Sequence, residues 1–238
     1  MRNIEAVLFD LDDTLHDDTR ASHGAAEDVA REVAAAHGVD ALALKHAYLA
    51  EAGSFWHRLD AAQLRERLAG VRVRLWGAAL QRVGVVDEAL AQQSAERYNE
   101  YRKTYFEVFP GTFDVLRTLR ARGTKLGILT NGFSETHREK IDLLRLTEHF
   151  DAIFIADELG MLKPDPLLFA RACAELGTSP QHGAMVGDRY ERDVRGALDA
   201  GMYAVWLNVR GETLPSDAPP PHAICTSVVE VPAALEAA

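Results

Sequence analysis

Between Pro110 and Asn208 the chain alternates short apolar runs with longer amphipathic ones, and this rhythm limits the fold more than any other feature. A helix is predicted over 112–122, closed by Gly123, then a strand over 125–129 that runs into Thr130-Asn131-Gly132. Helix 134–146, strand 152–156 and helix 166–176, stopped by Gly177, follow. Strand 184–186 ends in Gly187-Asp188; a helix then reaches Ala200-Gly201 and a strand covers 203–207. An earlier apolar run, 4–9, reads as one more buried strand, and 223–226 as a last one before a short helix. Strands this short, separated by helices, imply an α/β fold: a doubly wound, mostly parallel, Rossmann-like sheet with helices on both faces.

From about Thr19 to Val108 the character changes. Ala, Leu, Arg, Glu and Gln dominate, and Leu64, Leu68, Val71, Leu75 and Leu80 recur at helical spacing. Four helices are expected here, broken near Gly38, over 53–60 and over 84–87. A stretch this long is too large for a crossover between two strands. It is read as an inserted helical-bundle cap domain over 18–108, with a catalytic core from 1–17 and 109–238.

Composition narrows the function. The formal net charge of −10, with no basic run to offset it locally, argues against nucleic acid and anionic lipid as partners. A small anionic substrate stays open, because local positive charge or a bound cation overrules the net field. Cys173 and Cys225 belong to no metal-binding pattern and read as reduced, buried thiols. The first residues do not form a signal peptide, and no window approaches the ~20 apolar residues of a membrane span. A cytoplasmic protein, monomeric or homodimeric, is expected.

The chemistry gathers at strand ends. Asp10-Leu11-Asp12-Asp13-Thr14 directly follows Val7-Leu8-Phe9, so two carboxylates two residues apart stand at the carboxyl edge of a sheet, where α/β folds bind ligands. One can attack an electrophile or bind a metal while the other moves a proton. Thr130-Asn131, Lys163-Pro164, and Asp188 with Asp193 close other segments of the same kind. Together they make a phosphoryl-transfer site. Asp10 and Asp188 suit Mg²⁺, Thr130 and the Asn131 amide suit phosphoryl oxygens, and Lys163 supplies a positive charge.

In these residues the chain resembles the haloacid dehalogenase superfamily, in particular its phosphatases with a helical cap inserted after the first motif. Asp10, Asp12 and Thr14 match the family's Asp-x-Asp-x-Thr; Thr130 matches the second motif and Lys163-Pro164 the third. Gly187-Asp188 with Asp193 matches the fourth. The resemblance implies that Asp10 is the nucleophile forming an aspartyl-phosphate and that Asp12 is the general acid and then the base. Mg²⁺ would be held by Asp10, the Asp12 carbonyl and Asp188, with Asp193 in the outer shell on a metal-bound water or on Lys163. Thr130, Asn131 and Lys163 would hold the phosphoryl group. A small phosphorylated metabolite, a nucleotide or sugar phosphate, is the favoured substrate.

Other readings stay open beside this one. The same fold serves haloacid dehalogenases, which lack an acid at the position of Asp12, and phosphomutases. Phosphonatases need a cap lysine, and only Lys45 and Lys103 lie in that stretch, neither beside the first motif. A non-catalytic phosphate-binding or interaction protein is a further alternative. Asp13, Asp17 and Asp18 read as turn or capping acids, and Thr14 as a hydroxyl that stabilises the turn. Asp193 could be a plain helix N-terminal acid, and Asn131-Gly132 a plain turn. Phe55, Trp56, His57 and Arg58 read either as a loop between two cap helices, reaching toward substrate, or as cap core. Phe133, Ser134 and Glu135 are candidates to face the substrate. The histidines are scattered and form no metal pattern, and most read as surface or capping residues.

Overall fold

The computed structural model describes residues 2–65, 68–214 and 216–238, so that Met1 and Pro215 of the proline cluster lie outside the described residues. In chain order, strand β1 (Ala6–Phe9) precedes helices α1 (Asp18–His37), α2 (Ala41–His57), α3 (Leu68–Arg82) and α4 (Glu88–Thr104). Then come α5 (Thr112–Ala121), β2 (Lys125–Thr130), α6 (Ser134–Leu143), β3 (Ala152–Ile155) and a single turn α7 (Ala156–Leu159). α8 (Pro166–Glu175), β4 (Gly183–Gly187), α9 (Arg195–Asp199), β5 (Tyr203–Leu207), β6 (Ala223–Cys225) and α10 (Val231–Glu236) complete the chain.

The chain divides into two compact units, one from the residues up to Asp17 with Glu107–Ala238 and the other from Asp18–Phe106. Residues 107 and 108, assigned to the helical stretch from the sequence, fall in the first unit. Val108 bridges to His16, and the Phe109 amide donates to the Leu15 carbonyl, so backbone hydrogen bonding draws them to the β1 side.

In the α/β unit the six strands are all parallel, in the order β3-β2-β1-β4-β5-β6. β1 lies between β2 and β4, so the chain turns outward in opposite directions on its two sides. Such a switch point opens a crevice at the carboxyl ends of the strands. The register aligns Phe9 with Ile128 and with Val186, so β1, β2 and β4 deliver their following residues to one edge. All four residues of β1 are buried, as expected of a strand covered on both faces. Ala6 and Leu8 pack with Leu168, Phe169, Cys173 and Met185, while Phe9 meets Phe150 edge-on at 6.3 Å. α8 starts where Asp165 accepts a hydrogen bond from the Leu167 amide, with Pro166 in the first helical turn.

The helical unit is an all-α bundle. Asp40 caps α2 through the Leu42 and Ala43 amides, and Asp87 caps α4 through the Leu90 amide. Its centre is aromatic: Tyr48 stacks on Trp76 at 4.0 Å and lies 4.8 Å from Tyr98. Arg72 and Arg102, both buried, place their guanidinium groups 5.5 and 5.8 Å from the Tyr98 ring. The break expected over 53–60 begins only at Arg58, since α2 continues through Gly53 to His57. Gly53 sits on an exposed helical surface, where glycine costs only ~1 kcal/mol relative to alanine. Phe55, Trp56 and His57 therefore form the last turn of α2, with Arg58 as its cap, and not a loop.

Among the described residues no helix is long and apolar enough to cross a membrane.

Candidate active site

Asp10 leaves the end of β1 with its amide hydrogen-bonded to the Val186 carbonyl of β4. Its carboxylate accepts from Lys163 Nζ at 2.8 Å, and the same ammonium lies 2.6 Å from Asp193 Oδ1. Lys163 is 2% exposed, so a buried cation sits between two buried carboxylates. Charges in such a position are costly unless paired. Burial alone would lower the Lys163 pKa, but Asp10 and Asp193 outweigh it and the net direction is upward.

Asn131 sets where Lys163 stands. Its Nδ2 donates to the Lys163 carbonyl and its Oδ1 accepts from the Lys163 amide, each at 2.8 Å. The side chain of Asn131 is thus spent on the lysine loop, and its backbone amide is the group left to meet a ligand. Thr130, the last residue of β2, is buried beside it.

Asp188 and Asp193 follow β4. The Asp193 amide donates to the Arg189 carbonyl at 2.8 Å, and Asp193 Oδ2 accepts from the Arg189 amide at 2.9 Å, closing the turn. A π-helical turn, Tyr190–Val194, produces the five-residue spacing. Gly187 is required by close approach: a Cβ there would lie 2.4 Å from the Asp193 carboxyl carbon. The Trp206 indole N–H donates to the Asp188 carbonyl at 2.9 Å.

Carboxylate oxygens of Asp10, Asp188 and Asp193 lie within 4.8 Å of one another. Asp188 Oδ2 is buried and makes no hydrogen bond among the described residues, although Arg210 Nη2 at 3.3 Å and Arg189 Nε at 3.5 Å are within ion-pair reach. Burial, with help from Asp193 and Asp12 and against Lys163, pushes Asp10 up to about 7. Burial, then Asp193 and Asp10, pushes Asp188 up to about 8. An oxygen-only donor set with an orphaned carboxylate oxygen fits a hard divalent cation such as Mg²⁺.

Asp12 is built differently. Its side chain is 31% exposed, the most open of these acids, and it is gripped from α6. Lys140 Nζ donates to Asp12 Oδ1 at 2.6 Å, and His137 Nε2 lies 3.5 Å from Oδ2. The His137 ring is fixed by Nδ1 donating to the Phe133 carbonyl at 3.1 Å. Gly132 makes room for it, since a Cβ there would fall 2.1 Å from the imidazole Cε1.

Several expectations need correction. Thr14 Oγ1 is buried without a hydrogen-bond partner among the described residues, so the hydroxyl does not stabilise the turn. Asp13 does sit in a turn, with a left-handed φ of 57°, but it also pairs with Arg210, a contact that no sequence motif announced. Ser134 donates through both N and Oγ to Asp157, at 2.7 and 2.9 Å, so the Asp157 carboxylate satisfies the first amide of α6 and the serine hydroxyl is spent there instead of facing a substrate. Phe133 is buried and Glu135 is exposed. Most histidines lie at least partly exposed, as expected, whereas His16 and His137 are buried; His16 Nδ1 meets the Glu107 carbonyl at 3.0 Å. His137 and Lys140 were missed, although a lysine on the buried stripe of a predicted amphipathic helix is a visible signal.

The family model of haloacid dehalogenase-like hydrolases matches residues 4–201. A phosphoserine phosphatase of Thermus thermophilus is 34% identical over 227 residues, covering 86% of this chain and 89% of that protein. An N-acylneuraminate-9-phosphatase of Mus musculus is 32% identical over 246 residues, covering 99% and 95%. The crystal structure of a 2-haloacid dehalogenase from Pseudomonas syringae superposes with a TM-score of 0.68 at 29% identity, covering 98% of this chain and 99% of that one.

Proposed function

The chain belongs to the haloacid dehalogenase-like hydrolases, and we propose that within this family it is a Mg²⁺-dependent phosphomonoesterase that works through an aspartyl-phosphate on Asp10. The observation that carries this reading is the pairing of two differently furnished acids two residues apart. Asp10 is buried against Lys163, whereas Asp12 is open to solvent and held by Lys140. Two carboxyl groups in unlike surroundings suit two unlike tasks, nucleophile and proton carrier.

In this reading Lys163 and the Thr130-Asn131 strand end receive the phosphoryl oxygens and offset their charge. A carboxylate oxygen of Asp10 attacks phosphorus as the ester P–O bond breaks, and the departing alkoxide takes the proton of Asp12. Asp12, now ionised, accepts a proton from water as that water attacks phosphorus. The P–O bond to Asp10 breaks, inorganic phosphate leaves, and both acids return to their starting state. Bound to Asp10, the Asp12 carbonyl and Asp188, Mg²⁺ would neutralise phosphoryl charge. Asp193, tied to Lys163 and to the Arg189 amide, acts as a support for that lysine. Residues 18–106 are assigned the part of a cap that closes over substrate.

A dehalogenase is the competing reading, given the structural likeness to one. A halide leaves without needing a proton, so it gives no reason for a lysine and a histidine to surround a second acid. The named substrates of the relatives, among them phosphoserine, N-acylneuraminate 9-phosphate and glyceraldehyde 3-phosphate, favour a small phosphorylated metabolite. Phosphate release from a panel of nucleotides, sugar phosphates and these esters tests the proposal. Mg²⁺-dependent turnover abolished by chelation is expected; chloride release from 2-chloropropionate with no phosphate release from any ester would overturn it.

A further inference from the structure

α6 buries His137, Lys140 and Ile141, and the first two stand one turn apart on the same face. A lysine that is 1% exposed is an expensive tenant of a helix stripe that an apolar residue would fill more cheaply. Its ammonium reaches Oδ1 of Asp12, across 128 residues of sequence, and holds it at 2.6 Å. The other oxygen, Oδ2, lies beside the His137 ring, for which Gly132 leaves the space. The backbone of Asp12 is fixed separately by its bridge to His16. Asp12 is the most solvent-exposed of the four acids at this edge, so its carboxylate has the most freedom to lose.

We propose that Lys140 is a positioning residue for Asp12: it anchors Oδ1 and so aims Oδ2 at the leaving-group oxygen, with the His137 ring limiting rotation on the other side. The inference rests on the phosphomonoesterase reading above. Its chemistry predicts a particular signature. A well-aimed acid matters most when the leaving group is a poor one, and least when it departs readily as an anion. Loss of Lys140 therefore damages the hydrolysis of phenyl phosphate more than that of p-nitrophenyl phosphate, two esters of nearly the same shape.

The test measures kcat/KM for both esters, with Mg²⁺, in the wild-type protein and in Lys140→Met, Lys140→Arg, His137→Gln, Asp12→Asn and Asp12→Asn/Lys140→Met. Lys140→Met is expected to lose about 10- to 100-fold on phenyl phosphate, the scale seen for groups that orient a reacting residue, and several-fold less on p-nitrophenyl phosphate. Lys140→Arg should recover part of that difference, and His137→Gln should show a smaller difference of the same sign. In the Asp12→Asn background Lys140→Met should change nothing further, because the group it orients is gone. Equal losses on the two esters, or an undiminished loss in the Asp12→Asn background, would overturn the role. If the wild-type protein releases phosphate from neither aryl ester nor any member of the metabolite panel, the phosphatase reading itself fails and this inference falls with it. If Asp12→Asn shows the leaving-group signature and Lys140→Met and His137→Gln do not, only the inference fails.

Discussion

The two units bury charge in opposite ways. At the sheet edge of the α/β unit three buried carboxylates, Asp10, Asp188 and Asp193, crowd round Lys163, and Asp188 Oδ2 lacks a hydrogen bond among the described residues. In the helical unit the buried groups are cations. Arg72 bonds to Asn99, Arg102 pairs with Asp18, and both lean on Tyr98. Burial disfavours these cations and lowers the Arg72 pKa, and an aromatic face with a side-chain partner offsets that cost without a ligand. Crowded carboxylates are held at a cost, which an incoming cation or substrate relieves. Unsatisfied atoms alone do not separate the two, since Trp76 Nε1 and Ser94 Oγ of the helical unit also lack a hydrogen bond among the described residues; the crowding of like charges is what separates a site from a core that merely contains polar groups.

Substitutions break this comparison in a definite order. Asp10→Asn should lower turnover by on the order of a thousandfold or more while the melting curve stays cooperative, as steady-state kinetics and calorimetry would show. Asp12→Ala should cost about 10²- to 10³-fold in kcat/KM, the range for a lost general acid; an unchanged value would remove its role. Asp188→Asn should raise the Mg²⁺ concentration for half-maximal activity by roughly tenfold or more, and Asp193→Asn should do so by less. Equal shifts in a metal titration would move Asp193 in among the ligands.

Stability sharpens the contrast further. Lys163→Met leaves Asp10 and Asp193 without their shared partner, and removal of one member of a buried ion pair costs about 3–5 kcal/mol. Arg72→Met leaves only neutral Asn99 and an aromatic face, so denaturant unfolding should report a loss of about 1–2 kcal/mol at most. Equal losses would mean that the two units bury charge on the same terms.

The smallest effect is the dependence on pH. Asp10 and Asp188 are raised from 3.8 to about 7 and about 8, so they favour the folded state when protonated. That contribution is complete below pH 3.8 and disappears as pH rises through about 7 and 8. Without metal, the melting temperature should therefore decline from about pH 4 and level off above about 8. Mg²⁺ should raise it more at the upper end, where the ligands are ionised.

The sheet was legible because each strand is a short apolar run that ends in a polar residue, and β1, β2 and β4 align those ends by register. Asp10, Thr130, Lys163 and Asp188 stand out in the sequence for that reason. Lys140 and His137 did not, because the partner they reach lies 128 and 125 residues away and helical periodicity says nothing of what a buried face meets. Arg210 was equally invisible, as a loop residue whose contacts with Asp13 and Asp188 arise only once β5 lies beside β4. Gly53 misled because glycine breaks helices on average, whereas one on an exposed helical face is tolerated.

The most direct test of the account is chemical trapping of the phosphoenzyme. The protein is mixed with Mg²⁺ and a hydrolysed phosphomonoester, quenched, and treated with borohydride, which reduces an aspartyl-phosphate to homoserine. Mass spectrometry of the tryptic peptide over residues 3–20 then reads which acid was phosphorylated. Homoserine at position 10, dependent on both substrate and Mg²⁺, is the predicted result. Homoserine at another acid, or none at all while phosphate is released, would contradict the assignment of Asp10 as the nucleophile.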